Sequence, residues 1–246
     1  MQATNPFESL NGKIVLVTGA TGGLGRVVVK RLLETGAVVA AAYRDEVKFR
    51  ELLVFVGGAQ DSLSGFSADV TLESSVRDMV GAIIGRHGRV DVLLNLVGEY
   101  RGGADISTTE EEDWDSLMRT NLKSAFLCSR AVLPAMMKAN SGRIVNVAAR
   151  PAVEKKGRAK SGAYAVSKAG VVVLTEAIAE ETRKFGITAN CIVPGTIDTP
   201  TNRKDIAGAD FSRWAKPEEI ATVLLALISD GASVVSGAAI PVYGKS

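Results

Sequence analysis

Residues 14–25 read IVLVTGATGGLG, and this stretch decides the fold class. Its first five residues form an apolar, β-branched run that predicts a strand buried on both faces. A glycine-rich turn follows and leads into a helical pattern, where backbone amides can approach a pyrophosphate beside the positive end of the helix. A tight turn with no ligand is the alternative. The predicted dinucleotide-binding residues are Gly19, Thr21, Gly22, Gly23, Leu24 and Gly25.

The rest of the chain repeats this order of strand and helix. Strands are predicted at 14–18, 38–43, 63–68, 90–97, 143–148, 188–193 and 238–242. Helices are predicted near 24–35, 46–56, 73–85, 111–139, 162–184 and 217–229. Strict alternation implies right-handed crossovers and a parallel sheet covered on both faces. The predicted fold is therefore α/β, a Rossmann-like doubly wound parallel seven-stranded sheet with helices on both faces, and its ligands should lie beyond the carboxyl ends of the strands.

Composition narrows the class of protein further. The 246 residues are 46% hydrophobic and 23% charged without a linker-like break, so we expect a single globular domain over 1–246. A net charge of +2 is too small to indicate nucleic-acid binding. The apolar runs are shorter than the ~18 residues of a membrane span, and the amino terminus lacks the order of a signal peptide. We therefore expect a cytoplasmic protein with no membrane partner.

Cysteine and histidine content argues against a metal site. His87 is the only histidine, and Cys128 and Cys191 lie far apart in the chain, each within an apolar run. We expect no metal and two buried free thiols, which suit a reducing compartment.

The end of the second strand indicates which dinucleotide is bound. An acid there holds the ribose 2′-hydroxyl of NAD, whereas arginine accommodates the 2′-phosphate of NADP. The strand ends in Tyr43, where the acid is expected, and Arg44 follows, so NADPH is favoured; the alternative is that Arg44 is a solvated loop residue, and Asp45 keeps NAD open. After the third strand, Asp69 and Val70 are predicted to reach the adenine, although Asp69 suits a helix entry equally well.

The fourth strand and the helix after it supply further candidates. Asn95, Val97 and Gly98 are predicted cofactor contacts, because the glycine lets the backbone pass close to the dinucleotide. Asn121 falls on the apolar stripe of the next helix. A buried amide needs partners for its polar atoms, so Asn121 is either an internal structural tie or part of a proton path, and we favour the path.

The sequence YAVSK places Tyr164 one helical turn before Lys168. A phenol beside an ammonium on one helix face can have its pKa lowered enough to exchange protons near neutral pH. Tyr164 and Lys168 are therefore the predicted acid–base pair. The alternative is an ordinary amphipathic helix that happens to begin near a tyrosine.

Together these motifs resemble the short-chain dehydrogenase/reductase family. The match runs through nearly the whole chain: TGATGGLG at 18–25, DV at 69–70, NLVG at 95–98, Asn121, YAVSK at 164–168 and PGTIDT at 194–199. The resemblance implies hydride transfer between a nicotinamide and a carbonyl or alcohol, with Tyr164 as the proton donor during reduction. It also implies that Lys168 holds the nicotinamide ribose and lowers the pKa of Tyr164, and that Asn121 positions a water.

The same resemblance implies roles for later segments. Pro194, Gly195, Ile197 and Thr199 would shape the nicotinamide pocket, with Thr199 reaching the phosphate or carboxamide of the cofactor. In the family the helices at 111–139 and 162–184 pair across subunits, which implies a homo-oligomer, a tetramer or a dimer.

One position departs from the family pattern. Members usually carry a serine after the fifth strand that donates a hydrogen bond to the substrate oxygen, and Ala149 stands there. Three explanations compete. Ser161 could reach the pocket, although capping the next helix suits it better; a conjugated ring substrate could need less polarisation, as in family members resembling dihydropteridine reductase; or the protein could be a catalytically weak NADP-binding protein of redox-sensing or regulatory type.

The loop between the fifth strand and the YAVSK helix is strongly basic. It carries Arg150, Lys155, Lys156, Arg158 and Lys160 against Glu154 alone. Because this loop should flank the mouth of the site, we expect the small-molecule substrate to be anionic, with ordinary solvated lysines as the alternative.

Overall fold

The computed structural model describes residues 7–58 and 61–245 and contains one parallel sheet of seven strands. Residues 1–6, on which the expectation about a signal peptide partly rests, lie outside this description. The strands follow the predicted apolar runs closely. They are β1 Ile14–Thr18, β2 Val38–Tyr43, β3 Leu63–Ser67, β4 Val92–Asn95, β5 Gly142–Val147, β6 Ile187–Pro194 and β7 Ala239–Val242.

Helices connect successive strands on both sides of the sheet. They are α1 Gly25–Glu34, α2 Glu46–Phe55, α3 Glu73–His87, α4 Glu111–Leu117, α5 Ser124–Ala139, α6 Arg150–Val153, α7 Gly162–Thr182, α8 Pro200–Asp205 and α9 Pro217–Ile228. The start of α9 matches the Pro-Glu-Glu pattern at 217–219, because Glu219 Oε2 accepts a hydrogen bond from the backbone amide of Lys216 at 2.8 Å.

The strand order is β3-β2-β1-β4-β5-β6-β7 with every neighbouring pair parallel. The chain moves outward from β1 to β3 and then returns to pair β4 with the other edge of β1. This reversal creates a crevice beyond the carboxyl ends of β1 and β4, which is where ligands bind in such sheets. The predicted Rossmann-like doubly wound architecture is confirmed.

Both faces of the sheet are covered, as the continuous apolar runs predict. Val15 and Val17 of β1 pack into the core on one face, together with residues of α1 and α9, whereas Ile14 and Leu16 pack into the core on the other face with residues of α3 and α5. All four side chains are buried. Burial of each such side chain contributes about 1.5–3 kcal/mol, so this strand is held from both sides.

The structure corrects the predicted helix at 111–139. It is interrupted by a π-helical turn over Met118–Lys123, between α4 and α5. Such turns insert an extra residue and often accompany functional positions; here the turn contains Asn121. Thr109 directly precedes the residue before α4, and its hydroxyl donates a hydrogen bond to the carbonyl of Asp105 at 2.9 Å.

One described helix is as long and as apolar as a membrane span, although no uninterrupted apolar run reaches ~18 residues. The segment Gly162–Phe185, which includes α7, is long and apolar enough to cross a membrane by length and composition. Nearly half of it is buried inside the protein and α7 packs on β6, and the core helix of a folded domain meets the same criterion. The two cysteines are buried and free, as predicted.

Candidate active site and dinucleotide crevice

The glycine turn after β1 folds back on itself and leaves no room for a side chain at Gly19 or Gly25. Gly19 has a φ of +67°, and a Cβ there would lie 3.0 Å from the backbone of Leu96 and Val97. A Cβ at Gly25 would lie 2.0 Å from the carbonyl oxygen of Gly19. The amide of Gly22 closes the turn by donating to that same oxygen at 3.0 Å. Positions 19 and 25 therefore require glycine, because neighbouring backbone atoms approach them closely.

The amino terminus of α1 has the properties of an anion site. Within the described residues, nothing accepts a hydrogen bond from the backbone amides of Gly23 and Leu24. No side chain caps this helix. Unpaired amides at the positive end of a ten-residue helix fit a pyrophosphate.

Thr199 brings the segment after β6 to this turn. Its methyl carbon would lie 2.9 Å from a Cβ on Gly23. Its hydroxyl accepts a hydrogen bond from the amide of Asn202 at 3.2 Å and so caps α8. Gly195 is joined to the last strand through Val242, and Ile197 pairs with Ala215. The structure thus places Thr199 against the glycine turn and commits its hydroxyl to a helix cap, and the role of the 194–199 segment at the nicotinamide stays a prediction.

At the end of β2, Asp45 and Arg44 are the two candidates for binding the cofactor's ribose, and their surroundings differ. Asp45 caps α2, because its Oδ1 accepts hydrogen bonds from the amides of Val47 at 2.9 Å and Lys48 at 3.3 Å. Arg44 is exposed and forms no hydrogen bond or ion pair with any residue in the described ranges. Tyr43 stacks on Phe49 with ring centroids 4.5 Å apart. The arginine is therefore free to meet a ligand, whereas the acid is held by its helix.

Asp69 follows β3 and has a low pKa. Burial by itself raises the pKa of this carboxyl, but hydrogen bonds from Thr71 and the positive charges of Arg44 and Arg119 together bring it below its ordinary value. Its Oδ1 accepts from the Thr71 amide at 2.9 Å and the Thr71 hydroxyl at 2.7 Å. Asp69 thus shapes the turn that leads to α3, and Val70 beside it is buried.

Asn95 lies deeper than its prediction as a cofactor contact implies. Its side chain is buried and donates to Asn146 Oδ1 at 2.8 Å, joining β4 to β5. Its Oδ1 is also buried and accepts no hydrogen bond from the described residues, and a contact with the cofactor stays a prediction. The neighbouring backbone is clamped to β1, since the Leu96 amide donates to Thr18 Oγ1 at 3.2 Å.

Tyr164 and Lys168 lie on one face of α7, as their spacing predicts. The Lys168 amine is buried and donates to the carbonyl of Val147 at 2.9 Å. A Cβ on Gly98 would lie 2.9 Å from this amine and 3.4 Å from Asn121 Oδ1. The glycine in the fourth-strand motif therefore leaves room for the Lys168 and Asn121 side chains, a constraint that sequence analysis attributed only to the cofactor.

The pKa values differ from the expectation for this pair. Burial lowers the pKa of the Lys168 amine to about 8. Burial raises the pKa of the Tyr164 phenol, and neighbouring Tyr100 raises it further. The expected lowering of the Tyr164 pKa by Lys168 is thus wrong for the protein alone, because desolvation dominates both groups.

Asn121 is held by three hydrogen bonds. Its Oδ1 accepts from the Glu99 amide at 2.7 Å, and its Nδ2 donates to the Glu99 carbonyl and to Ser167 Oγ, each at 3.0 Å. Ser167 in turn donates to the carbonyl of Tyr164 at 2.8 Å. The amide therefore ties the loop after β4 to α7, and a role in the proton path stays a prediction. Ser167 was missed by sequence analysis, although it lies within YAVSK.

The segment after β5 contains no donor at position 149. Ala149 is buried and directly precedes α6. Ser161 directly precedes α7 but does not cap it; its hydroxyl donates to the carbonyl of Gly157. The predicted cap is wrong because Ser161 has a ψ of 33°, outside the extended conformation that aims a capping hydroxyl at the helix amides.

In the basic loop over 150–160, the two arginines have polar partners within the described part of the chain and the three lysine amines do not. Arg150 pairs with Glu154 at 2.7 Å and lies 4.5 Å from the ring centre of Tyr243. Arg158 donates to the carbonyls at 151 and 152. Lys155, Lys156 and Lys160 are exposed, and their amines form neither an ion pair nor a hydrogen bond with any described residue.

Replacing Lys168 tests its buried amine. At about pH 7 the amine is charged in both the folded and the unfolded state, and burial of this charge costs about 3 kcal/mol, because the pKa falls from 10.5 to about 8 on folding. Lys168→Met removes this cost and is expected to stabilise the cofactor-free protein by about 3 kcal/mol. Between the folded pKa of about 8 and the unfolded value of 10.5 the unfolded chain binds more protons, so wild-type stability rises with pH and the gain disappears. Urea unfolding across this pH range measures the gain. Lys138→Met, at an exposed position, is the control; a pH-independent gain would contradict the assignment.

Comparison with known proteins places these features in context. A family model described as short chain dehydrogenase matches residues 13–209. The chain is 33% identical over 243 residues to 3-oxoacyl-[acyl-carrier-protein] reductase FabG of Thermotoga maritima, covering 96% of this chain and 98% of that protein. It is 35% identical to (2S)-[(R)-hydroxy(phenyl)methyl]succinyl-CoA dehydrogenase subunit BbsD of Thauera aromatica, with 96% of each chain covered. The solved structure of ElxO with NADP bound superimposes with a TM-score of 0.89 at 26% identity, covering 95% of this chain and 98% of the other.

Proposed function

The chain belongs to the short-chain dehydrogenase family, and from this we propose that it is an NADPH-preferring oxidoreductase acting on a carbonyl or alcohol, or on a conjugated ring. The family and its relatives support an NAD(P)-dependent oxidoreductase. The observation that carries the proposal is the position of Tyr164 and the buried Lys168 amine on one face of α7, at the crevice that also holds the open amides of the glycine turn.

In the proposed reduction, Tyr164 donates a proton to the substrate oxygen. The nicotinamide supplies the hydride when bound. Lys168 holds the nicotinamide ribose and places a positive charge near the Tyr164 phenol. Asn121 fixes the loop after β4 and positions a water. The amides of Gly23 and Leu24 would hold the pyrophosphate, with Asp69 near the adenine and the 194–199 segment at the nicotinamide.

Preference for NADPH is proposed from the tip of β2. The carboxylate of Asp45 is engaged in capping α2, so it is poorly placed to select the 2′-hydroxyl of NAD. The exposed guanidinium of Arg44 is suited to a 2′-phosphate.

Arg44→Asp is expected to shift the ratio of kcat/KM for NADPH over NADH by about 10- to 100-fold toward NADH, since a charge-assisted hydrogen bond contributes about 1.5–3 kcal/mol. Initial rates with each cofactor measure this ratio. Arg50→Asp makes the same charge change on α2, where Arg50 pairs with Glu46, and should leave the ratio within about threefold. An unchanged ratio in Arg44→Asp would contradict the proposal that Arg44 binds the 2′-phosphate of NADPH.

A second candidate function is a catalytically weak NADP-binding protein. Ala149 favours it, because an alanine cannot donate a hydrogen bond to the substrate oxygen and each such donor is worth about 10²–10³ in rate. Assays of NADPH oxidation with 3-oxoacyl thioesters, aliphatic ketones, quinones and dihydropterins separate the two. Turnover of any of these supports the oxidoreductase, and tight NADPH binding without turnover supports the binding protein.

Further properties follow as proposals. Residues 1–246 form one dinucleotide-binding domain that acts in the cytoplasm on a small molecule. Lys155, Lys156 and Lys160 would favour an anionic substrate. Exposed apolar side chains on α4, α5 and α7 would pair subunits into a tetramer or dimer: Trp114, Phe126, Val166 and Val173.

A further inference from the structure

Tyr100 lies directly against the proposed proton donor. Its ring meets the ring of Tyr164 edge to face, with centroids 4.9 Å apart and planes at 81°. Tyr100 is nevertheless 65% exposed. One side of its ring therefore covers Tyr164 while much of the remaining ring is open to an incoming molecule.

The loop that carries Tyr100 is anchored on both sides without using that ring. Glu99 is bonded through its amide and carbonyl to Asn121. The amide of Gly103 donates to the carbonyl of Lys160 at 2.7 Å. Arg101 forms an ion pair with Glu99 at 2.5 Å and another with Asp113. The ring is thus placed by its backbone and is not required to hold the loop.

Gly102 explains how the ring can lie where it does. A Cβ at Gly102 would be 2.2 Å from the Tyr100 hydroxyl oxygen and 2.7 Å from the carbon that bears it. Any side chain at 102 would push Tyr100 away from this position. The glycine and the tyrosine therefore form one unit beside Tyr164.

We propose that Tyr100 is a specificity-determining residue whose ring contacts the substrate, and that the substrate is a flat, conjugated carbonyl compound. This inference rests on the proposed function and names the substrate class of the same site. A carbonyl oxygen that reaches the Tyr164 hydroxyl must lie next to the Tyr100 ring, because the two rings are in contact. A flat unsaturated group gains an aromatic contact there that an aliphatic chain does not.

Ala149 points to the same class of substrate. Hydride transfer brings an electron pair to the carbonyl carbon, and charge develops on the oxygen as the C=O π bond breaks. A second donor normally stabilises this charge, and Ala149 supplies none. In an electron-poor conjugated system the charge is spread over the rest of the molecule, so one donor suffices. NADPH loses the hydride to the carbonyl carbon and is thereby oxidised to NADP⁺, Tyr164 gives its proton to the oxygen, and the phenolate regains a proton from solvent.

The test compares two diketones that differ in flatness. Phenanthrenequinone is planar and conjugated, whereas biacetyl carries the same adjacent carbonyls on methyl groups. Tyr100→Leu should lower the ratio of kcat/KM for phenanthrenequinone over biacetyl by about 2- to 12-fold, the equivalent of about 0.5–1.5 kcal/mol for an aromatic pair. Tyr100→Phe keeps the ring and should retain the wild-type ratio within about twofold.

The outcomes separate this inference from the proposed function. An unchanged ratio in Tyr100→Leu, or an equal loss in Tyr100→Phe, would overturn the role of the ring. If the wild type reduces neither diketone nor any compound of the assay panel above, the proposed function fails. Whenever neither diketone is reduced, calorimetric binding of phenanthrenequinone to the NADP⁺ complexes decides the inference. Weaker binding to Tyr100→Leu than to Tyr100→Phe supports it, and equal binding overturns it. Melting temperatures of both variants exclude a folding defect.

Discussion

Tyr164→Phe is expected to lower kcat by about 10³-fold, because general acid catalysis by one positioned side chain contributes about 10²–10⁴. Phenylalanine keeps the ring that packs edge to face on Tyr100, and the backbone carbonyl that accepts from Ser167 is unchanged. The variant therefore loses the transferable proton and little else. NADPH oxidation with any substrate that the wild type reduces gives kcat.

The control for this variant is its affinity for NADPH. Fluorescence titration should give a Kd within about twofold of the wild type, since the amides of Gly23 and Leu24 and the guanidinium of Arg44 are untouched. Loss of kcat with intact binding assigns Tyr164 to the chemical step. Retention of more than about a tenth of wild-type kcat would mean that another group supplies the proton.

Gly25→Ala is expected to destabilise the protein by about 3 kcal/mol or more, which is about 6–12 °C in Tm for a chain of this size. The added Cβ would lie 2.0 Å from the carbonyl oxygen of Gly19 and 2.9 Å from two backbone atoms of Ala20. Because these neighbours are all backbone, no side-chain rotation relieves the contact, and the turn must open. NADPH affinity should fall with it, since the same turn presents the amides of α1.

Gly81→Ala provides a matched control in another helix. Gly81 is an exposed residue of α3, and a Cβ there meets nothing within 4 Å. It should stabilise the protein by about 0.5–1 kcal/mol, because alanine has the higher helix propensity. Calorimetry of both variants and the wild type gives the comparison. A Tm for Gly25→Ala within about 2 °C of the wild type would show that the turn tolerates a side chain.

Several elements could be predicted accurately because their signals are local. β1 and β2 have the predicted bounds, since unbroken apolar runs between polar turns leave little choice of limits. β4 is shorter than its run at both ends, and beyond Asn95 the backbone of Leu96 and Val97 lies close to Gly19. The apolar stripe over 111–139 predicts a helix correctly but does not reveal its π-helical turn. The turn contains Asn121, whose side chain bonds to Glu99, twenty-two residues earlier.

The candidate site shows the same division. Spacing alone places Tyr164 and Lys168 on one helix face, whereas the hydroxyl of Ser161 and the carboxylate of Asp45 have assignments that only their neighbours could give. Tyr100 carried no motif, and its one sequence signal was an aromatic residue soon after the fourth-strand glycine.

The amino-acid sequence by itself determined the alternation of strand and helix, the glycine turn and the Tyr164–Lys168 spacing, because periodicity and glycine sterics act over a few residues. Only the tertiary structure decided that Tyr100 covers Tyr164, that Gly98 makes room for the Lys168 amine, and that burial shifts both pKa values. These are contacts between segments far apart in the chain, and the desolvation of a side chain is set by everything that packs around it.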